Sequence, residues 1–502
     1  MSSAHRFPDP VPLYRSETLR ALEKHFLPGA VPSLMERAGA AAAEVAQAML
    51  REHPGPVLVV AGPGNNGGDG FVLARLLRTA GHEVTVSFMG DVARLPADAA
   101  QAITDWGAAG GDVLTELPQG DFALLVDALF GIGLCRPLEG RYGEWVDRMN
   151  DMACPVLSLD IPSGLDADTG RVWGKAVRAT RTASFIGAKP GLFTLAGPDH
   201  TGEISLHDLG LDTAAVRPAD GATVSPAQFT SALRPRLKNS HKGSHGSAGI
   251  LGGAHGMVGA ALLAGRAALM LGSGRVLVGL LDGAALPVDP MQPELMIQRP
   301  EALLEPGVCT ALAIGPGLGQ SEVAAQLLGR AAASYLPLLL DADALNLLAL
   351  DPAIAKRVTE RRLPNLLTPH PAEAARLLAC TTGEIQADRI RAALEIARRF
   401  RALTVLKGCG SVLAAPDGRW WVNTSGNPGM ASAGMGDVLS GMALALLAQG
   451  WRPELALLGA VHLHGAAADA CVAAGLGPVG LAAGELIPAG RRLLNGWIGS
   501  HD

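Results

Sequence analysis

Aromatic residues are scarce in this chain of 502 residues, at 4% of the total, and cysteine is rarer still, with six residues and no C-x-x-C pair. Dispersed as Cys135, Cys154, Cys309, Cys380, Cys409 and Cys471, they exclude a zinc ribbon or a dense disulfide framework and fit a reducing compartment. Each is expected to be a buried thiol. There is no long run of one charge sign, and a net charge of -6 leaves no electrostatic footprint for nucleic acid or an anionic membrane. The N-terminal MSSAHRFPDPVPLYRSE has no apolar signal core, and Arg266, Asp437 and Asp469 are expected to cut the later hydrophobic stretches short of a membrane span. These absences leave small molecules as partners, in the cytoplasm, with neither nucleic acid nor membrane.

What the chain has in abundance is glycine (63 residues), proline (34) and apolar side chains (48%). The length exceeds what one core fills, so two domains are expected, each of α/β class with glycine turns at strand ends. In the first half, SLMERAGAAAAEVAQAML reads as a helix near residues 33–50, PVLVVA as a buried strand over 57–61, and FVLARLLRTAG as an amphipathic helix closed by Gly81. EVTVSF, FALLVDALF and PVLSLDIP read as further strands. After HDLGLD the pattern lapses into a polar, proline-bearing stretch, which sets the boundary near 225 and the domains at 1–224 and 225–502. A second α/β alternation follows, with no fixed-period repeat.

GPGNNGGDG, residues 62–70, follows the first of these strands and satisfies G-x-G-x-x-G. An aspartate beside phosphates would repel them, however, so the loop calls for oxygen ligands as well as bare amides. In an open parallel sheet, residues just past the strands' carboxyl ends share one crevice. That rule gathers Asn65, Asn66 and Asp69 after one strand, Asp127 and residues 131–133 after another, and Asp160 and Ser163 after a third. Asn66, Asp127 and Ser163 offer an amide oxygen, a carboxylate and a hydroxyl, a set suited to a hard cation of low charge such as potassium. The same three residues also suit a helix cap, a turn cap and an ST-turn.

In the second half, NPGMASAGMGDVLSG runs from a glycine loop into a helix. Unpaired amides at such a start can hold phosphate oxygens, and Asp437 beside them can take a proton from an attacking hydroxyl, the requirements of phosphoryl transfer. An ordinary N-cap aspartate is the alternative. His370 lies between prolines in TPHPAE, where its backbone is held extended. Asp341 and Asp343, in LLLDADALN, follow a strand and suit either a nucleotide with its magnesium or a helix cap.

LMERAG, GPGNNGGDG, VDALFGIGL and DIPSGLDADTG, in this order over residues 14–215, resemble the NAD(P)H-hydrate epimerases. KGSHGSAGILGGAHGMVGAALLAGRAAL, GPGLG, DADALN, TPHPAE, KGCGS and AGMGDVLSG, over residues 230–495, resemble the ribokinase-like superfamily and, more closely, its ADP-dependent NAD(P)H-hydrate dehydratases. The resemblance implies two three-layer αβα domains, the first Rossmann-like and the second ribokinase-like. It implies that Asn65, Asn66, Gly67, Gly68, Asp69, Gly131, Ile132, Gly133, Leu134, Cys135, Arg136, Pro137 and Asp160 meet the hydrated nucleotide, with Asp160 as base. Potassium would sit on Asn66, Asp127 and Ser163. Lys189 is read as either an exposed lysine or a cationic partner, the exposed lysine being the expectation.

In the second domain the resemblance assigns Lys407, Gly408, Cys409, Gly410, Ser411 and Gly436 to the adenine nucleotide, and Ala260, Gly319, His370 and Asp437 to the hydrate. Met435 and Ser411 depart from the family's usual smaller residue or threonine and from its usual threonine. The implied enzyme is bifunctional: it epimerises the R and S hydrates of NADH and NADPH, then dehydrates the S form at the expense of ADP, with Mg2+ in the dehydratase domain, giving AMP and phosphate. A homo-oligomer is expected. Two other readings are a vitamin or sugar kinase of ribokinase type, and a first domain that binds nucleotide without catalysis.

Overall fold

The computed structural model describes residues 7–285 and 287–499. They form two compact units: one spans Pro12–Gly221, and the other comprises the described residues up to Val11 and those from Ala222 onward.

The first unit is built on a seven-stranded parallel sheet in the order Val113–Leu114, Val84–Phe88, Val57–Ala61, Leu124–Ala128, Val156–Leu159, Arg181–Phe185, Glu203–His207. Alternate residues of the 57–61 strand enter two cores on opposite faces, Val57, Val59 and Ala61 in one and Leu58 and Val60 in the other. This double burial is why its sequence is apolar throughout. Ser33 caps the helix Leu34–Glu52 by accepting from the Glu36 amide. Gly39 in LMERAG lets that helix close on the next one: a Cβ there would lie 2.4 Å from Val72.

Strand order reverses between Val57–Ala61 and Leu124–Ala128, so the loops leaving these two strands flank a crevice at the topological switch point. They approach so closely that a Cβ on Gly62 would lie 1.9 Å from the Leu129 carbonyl oxygen. Two local expectations are corrected here. The helix begins at Asn65 and runs to Thr79, so NNGGD forms its first turn; the glycines masked the start because they are poor helix formers. Asp127 lies within its strand instead of beyond it.

The second unit's sheet runs from Ala222 and Thr223 through Trp420–Val422, Val412–Ala414, Leu403–Leu406, Asn365–Leu367, Leu338–Leu340, Ala311–Ile314, Ser247–Gly252, Arg275–Leu280 to Met296–Gln298. All neighbours are parallel except around Val412–Ala414, which is antiparallel to both of its partners. Here the switch point falls between Ser247–Gly252 and Ala311–Ile314. Gly253 and Ala254 donate their amides to the carbonyls of Pro316 and Gly317 at 3.0 and 2.7 Å, tying the two switch-point loops together. The helix Met435–Ala448 packs on Val258–Met270 through Gly441, where a Cβ would lie 2.2 Å from the Ala264 carbonyl oxygen.

Two expectations from composition are also corrected. Cys309 and Cys471 are buried, but Cys154 and Cys380 are partly buried and Cys135 and Cys409 exposed, the last two on glycine loops that give a small side chain no cover. The helix Pro453–Ala473 is long and apolar enough to cross a membrane despite Asp469. Its buried residues, among them Leu457, Leu458, Ala460 and Leu463, instead belong to the core of the second unit.

Candidate active sites

In the first unit, Asp127 and Ser163 are fully buried and bonded to each other. Asp127 Oδ1 accepts from Ser163 Oγ at 2.6 Å, and Oδ2 from the Ser163 amide and Ser158 Oγ, both at 2.8 Å. Burial raises the pKa of Asp127, and these hydrogen bonds oppose the rise. Asn66 does not cap the helix: the cap position is Gly64. Its side chain is buried, and neither Oδ1 nor Nδ2 has a hydrogen-bond partner. A buried amide without partners costs about 1–3 kcal/mol, so the position calls for a ligand. An oxygen-binding monovalent cation fits that need at Oδ1, with the Asp127 carboxylate and the Ser163 hydroxyl as the other candidate donors.

Asp160 stands at the end of Val156–Leu159 with a positive φ of 67°, a conformation that aspartate tolerates better than most residues. Its Oδ1 accepts from the Phe185 amide at 3.3 Å and from Lys189 Nζ. Lys189 is only 1% exposed and also donates to Ser184 Oγ and the Phe185 carbonyl, each at 2.9 Å. The exposed lysine expected from sequence is therefore a buried ion-pair partner, since a buried ammonium needs acceptors on every side.

Gly131 brings the pieces together. A Cβ on it would lie 3.3 Å from Asp160 Oδ2 and 3.5 Å from the Asn66 Cβ, so the Asn66 and Asp160 side chains border one space. Gly67 and Gly68 are equally constrained, against the Gly62 carbonyl at 2.0 Å and the Met35 side chain at 2.5 Å. Asn65, Gly133, Cys135, Arg136 and Pro137 are exposed, with Ile132 and Leu134 partly buried between them. The Ile132 carbonyl accepts from Arg20 at 3.2 Å.

Sequence reasoning missed Glu23, on the helix Ser16–Phe26. Burial raises its pKa, as does the Asp160 charge, against Lys189 and Arg20. Asp69 is pushed well above the usual carboxylate range by burial and by the charges of Asp160 and Glu23, against Lys189. Nothing in SETLRALEKHF distinguishes Glu23 from a solvated helix residue.

In the second unit, Asp437 is the third residue of the helix Met435–Ala448, whose cap is Gly434 with φ 87°; it is not the N-cap. Burial and the charge of Asp341 raise its pKa to about 6, against the pull of Lys407. Lys407 Nζ donates to Asp341 Oδ1 at 2.8 Å and lies 3.9 Å from Glu373 Oε2. Burial disfavours its charge, but Asp341 and Glu373 outweigh that and raise its pKa. Asp341 Oδ2 accepts from Ser440 Oγ at 2.7 Å. A Cβ on Gly436 would lie 3.3 Å from Lys407 Nζ, so the helix start carrying Asp437 closes over the lysine.

Neither Asp341 nor Asp343 caps the following helix, whose cap position is Ala342 and makes no side-chain bond. Asp343 Oδ2 accepts from the Gly319 amide at 2.8 Å, and Gly317 brings its loop within 3.2 Å of the Ala260 Cβ, measured from its own missing Cβ. His370 is extended, as expected, and caps the helix Pro371–Leu378 in a reciprocal box with Glu373. Its half-exposed ring stands 3.2 Å from Glu373 Oε1. Glu373 was legible only as the fourth position of that box. No group of three metal-ligating His, Cys, Asp or Glu side chains occurs among the described residues. A dedicated divalent-metal cage is therefore not offered here. Magnesium would have to arrive on nucleotide phosphates.

Residues 248–486 match the family described as NAD(P)H-hydrate dehydratase, and residues 32–191 the family described as YjeF-related protein N-terminus. The chain is 40% identical over 469 residues to the bifunctional NAD(P)H-hydrate repair enzyme Nnr of Escherichia coli strain K12, covering 92% of this chain and 89% of that one. It is 37% identical over 495 residues to the enzyme of the same name from Coxiella burnetii, covering 96% and 99%. Among solved structures, it is similar to an ADP/ATP-dependent NAD(P)H-hydrate dehydratase from Bacillus subtilis co-crystallized with ATP/Mg2+, at 36% identity and TM-score 0.49, over 54% of this chain and 96% of that one.

Proposed function

Since the chain belongs to the bifunctional NAD(P)H-hydrate repair enzymes, we propose that its two units divide the repair of hydrated NADH and NADPH between them. The Pro12–Gly221 unit interconverts the R and S hydrates, and the unit from Ala222 onward dehydrates the S form with ADP. The work takes place in the cytoplasm, on small molecules.

In the first unit the Asn66, Asp127 and Ser163 oxygens would hold potassium, which would supply a fixed positive charge beside the substrate. Asp160, held by Lys189 and the Phe185 amide, accepts and returns the proton that inversion of a carbinolamine carbon requires. The glycine-lined helix start at Asn65–Asp69 and the loop from Gly131 to Pro137 hold the nucleotide.

In the second unit, the observation that carries the reading is Asp437: a carboxylate at a helix start, with its pKa lifted to about 6 by burial and Asp341. Such a group is ionised at neutral pH and basic enough to take a proton. It removes the proton of the ring hydroxyl, whose oxygen attacks the β-phosphorus of ADP as the bond to AMP breaks. The C–O bond of the resulting phosphate ester then breaks, a neighbouring ring proton is lost, and the double bond returns. Phosphorylation matters because hydroxide leaves poorly and phosphate leaves well. Lys407 to Ser411 and Gly436 hold the nucleotide; Ala260, Gly319 and His370 hold the hydrate. No step is assigned to magnesium.

The test supplies racemic NADPH hydrate with purified ADP or ATP and follows the return of NADPH absorbance. ADP should support faster turnover. A strong ATP preference, or a stable phosphorylated alcohol as product, would instead establish a ribokinase-type kinase.

A further inference from the structure

Arg389 opens the helix Arg389–Phe400 and is 2% exposed. Its guanidinium lies beneath the glycine loop that follows Lys407: a Cβ on Gly408, where φ is 147°, would lie 2.4 Å from Nη1. Nη1 donates to Gln386 Oε1 at 3.0 Å. Nη2 reaches the carbonyls of Leu406 and Gly410 at 3.3 and 3.4 Å, and Nε has no partner. Among the described residues, Arg389 forms no ion pair with a carboxylate.

A partly buried arginine in the same unit, Arg361, shows what a structural guanidinium looks like. Arg361 donates to the Asn365 side chain at 2.9 Å, to three carbonyls between Ala331 and Ser334, and to the Leu336 carbonyl. That arrangement uses all three nitrogens and needs no ligand. At Arg389 one nitrogen is unpartnered and two contacts are long, so the charge is poorly solvated by the protein. Burial brings its pKa down to about 10, which still leaves it charged at neutral pH. A poorly compensated buried charge is costly, and an anion on the exposed side of the loop would offset that cost. Lys407, the other cation at the loop, is already matched by Asp341 and Glu373.

We propose that Arg389 is a positioning residue of the nucleotide site: from beneath the loop its guanidinium fixes the Leu406 and Gly410 carbonyls and supplies the counter-charge for the phosphates of the adenine nucleotide. This rests on the reading of residues 407–411 as the nucleotide loop. Gly408 is glycine because the guanidinium occupies the space a side chain would need.

The test measures calorimetric affinities of the full-length protein for ADP, AMP and adenosine at low salt, with near-UV circular dichroism as the folding control. Arg389→Gln should weaken ADP binding by about tenfold or more, AMP binding less and adenosine binding hardly at all, because a lost charge acts only on charged ligands. Arg389→Lys, which keeps the charge and loses the fork, should retain most of the ADP affinity. Equal losses for all three ligands would reduce Arg389 to a scaffold residue and overturn the proposal, as would unchanged ADP binding in Arg389→Gln. Should Arg389→Gln fail to fold, Arg389→Lys decides alone: ADP affinity kept within about threefold supports the charge, and an equal loss for ADP and adenosine refutes it. If the unaltered protein binds no ADP, the reading of the nucleotide loop fails, and this inference with it.

Discussion

Asp437→Asn should separate catalysis from stability, moving them in opposite directions. Asparagine keeps the shape and the position in the first helical turn but cannot take a proton, so dehydration should fall by roughly two to four orders of magnitude. The stability effect follows from linkage. Asp437's pKa is about 6 in the folded protein against an ordinary value of 3.8, so the folded state holds its proton more tightly and the ionised form is disfavoured on folding. The penalty is fully present above the folded value, shrinks as pH falls through about 6, and vanishes below the unfolded value. At pH 7 the full difference corresponds to a ceiling of about 3 kcal/mol. Asp437→Asn should therefore be more stable than the unaltered protein at pH 7 and equally stable near pH 3.

The assay is a denaturant melt at both pH values, alongside the ADP-dependent return of NADPH absorbance. In the unaltered enzyme the dehydration rate should rise with pH through about 6 and then level off, since the ionised carboxylate is the active form. A variant that keeps dehydration within about tenfold, against the range expected for a lost general base, would remove Asp437 from the chemistry. A stability gain that persists at pH 3 would show that it came from something other than ionisation.

Asp127→Ala should slow epimerisation and abolish its response to potassium while leaving dehydration intact. Rates compared in potassium and choline buffers decide this, and normal epimerisation without potassium would return Asn66, Asp127 and Ser163 to purely structural roles. Asp160→Asn should leave the R hydrate of a racemic mixture behind, seen by chromatography as consumption that stops at the S portion. Rapid clearance of the R epimer would exclude Asp160 as the base.

How much of this was legible follows from how local each feature is. The strand Val57–Ala61 and the helix behind LMERAG were readable because burial on two faces and a serine cap are written in neighbouring residues. The crevice residues were readable too, because the switch-point rule converts strand order into proximity. Lys189 was not: its burial depends on Asp160, 29 positions earlier, and a lysine by itself reads as surface. Glu23 and Arg389 share that limit, since SETLRALEKHF and RIRAALEIARRF resemble many solvated helices until the sheet places something beneath them. Asp341 read as a cap or a metal ligand, and instead serves Lys407 and Ser440 through contacts 66 and 99 residues away.

The two sites, unrelated in sequence, share one electrostatic plan. In each, a single lysine faces three carboxylates: Lys189 with Glu23, Asp69 and Asp160, and Lys407 with Asp341, Glu373 and Asp437. Burial, and then like-charge repulsion, lifts some of these acids despite the lysine. The acids that are lifted are partly buried ones to which the ammonium is not hydrogen-bonded. In the second unit it is bonded to Asp341, and burial and the Asp341 charge raise the pKa of Asp437 at the helix start, where phosphate chemistry needs a base. In the first unit the ammonium is bonded to Asp160 itself, and the rise falls on Asp69 and Glu23. In both sites the acids that hold their protons more tightly are thus partly buried carboxylates to which the ammonium is not hydrogen-bonded, Asp437 in one and Asp69 and Glu23 in the other.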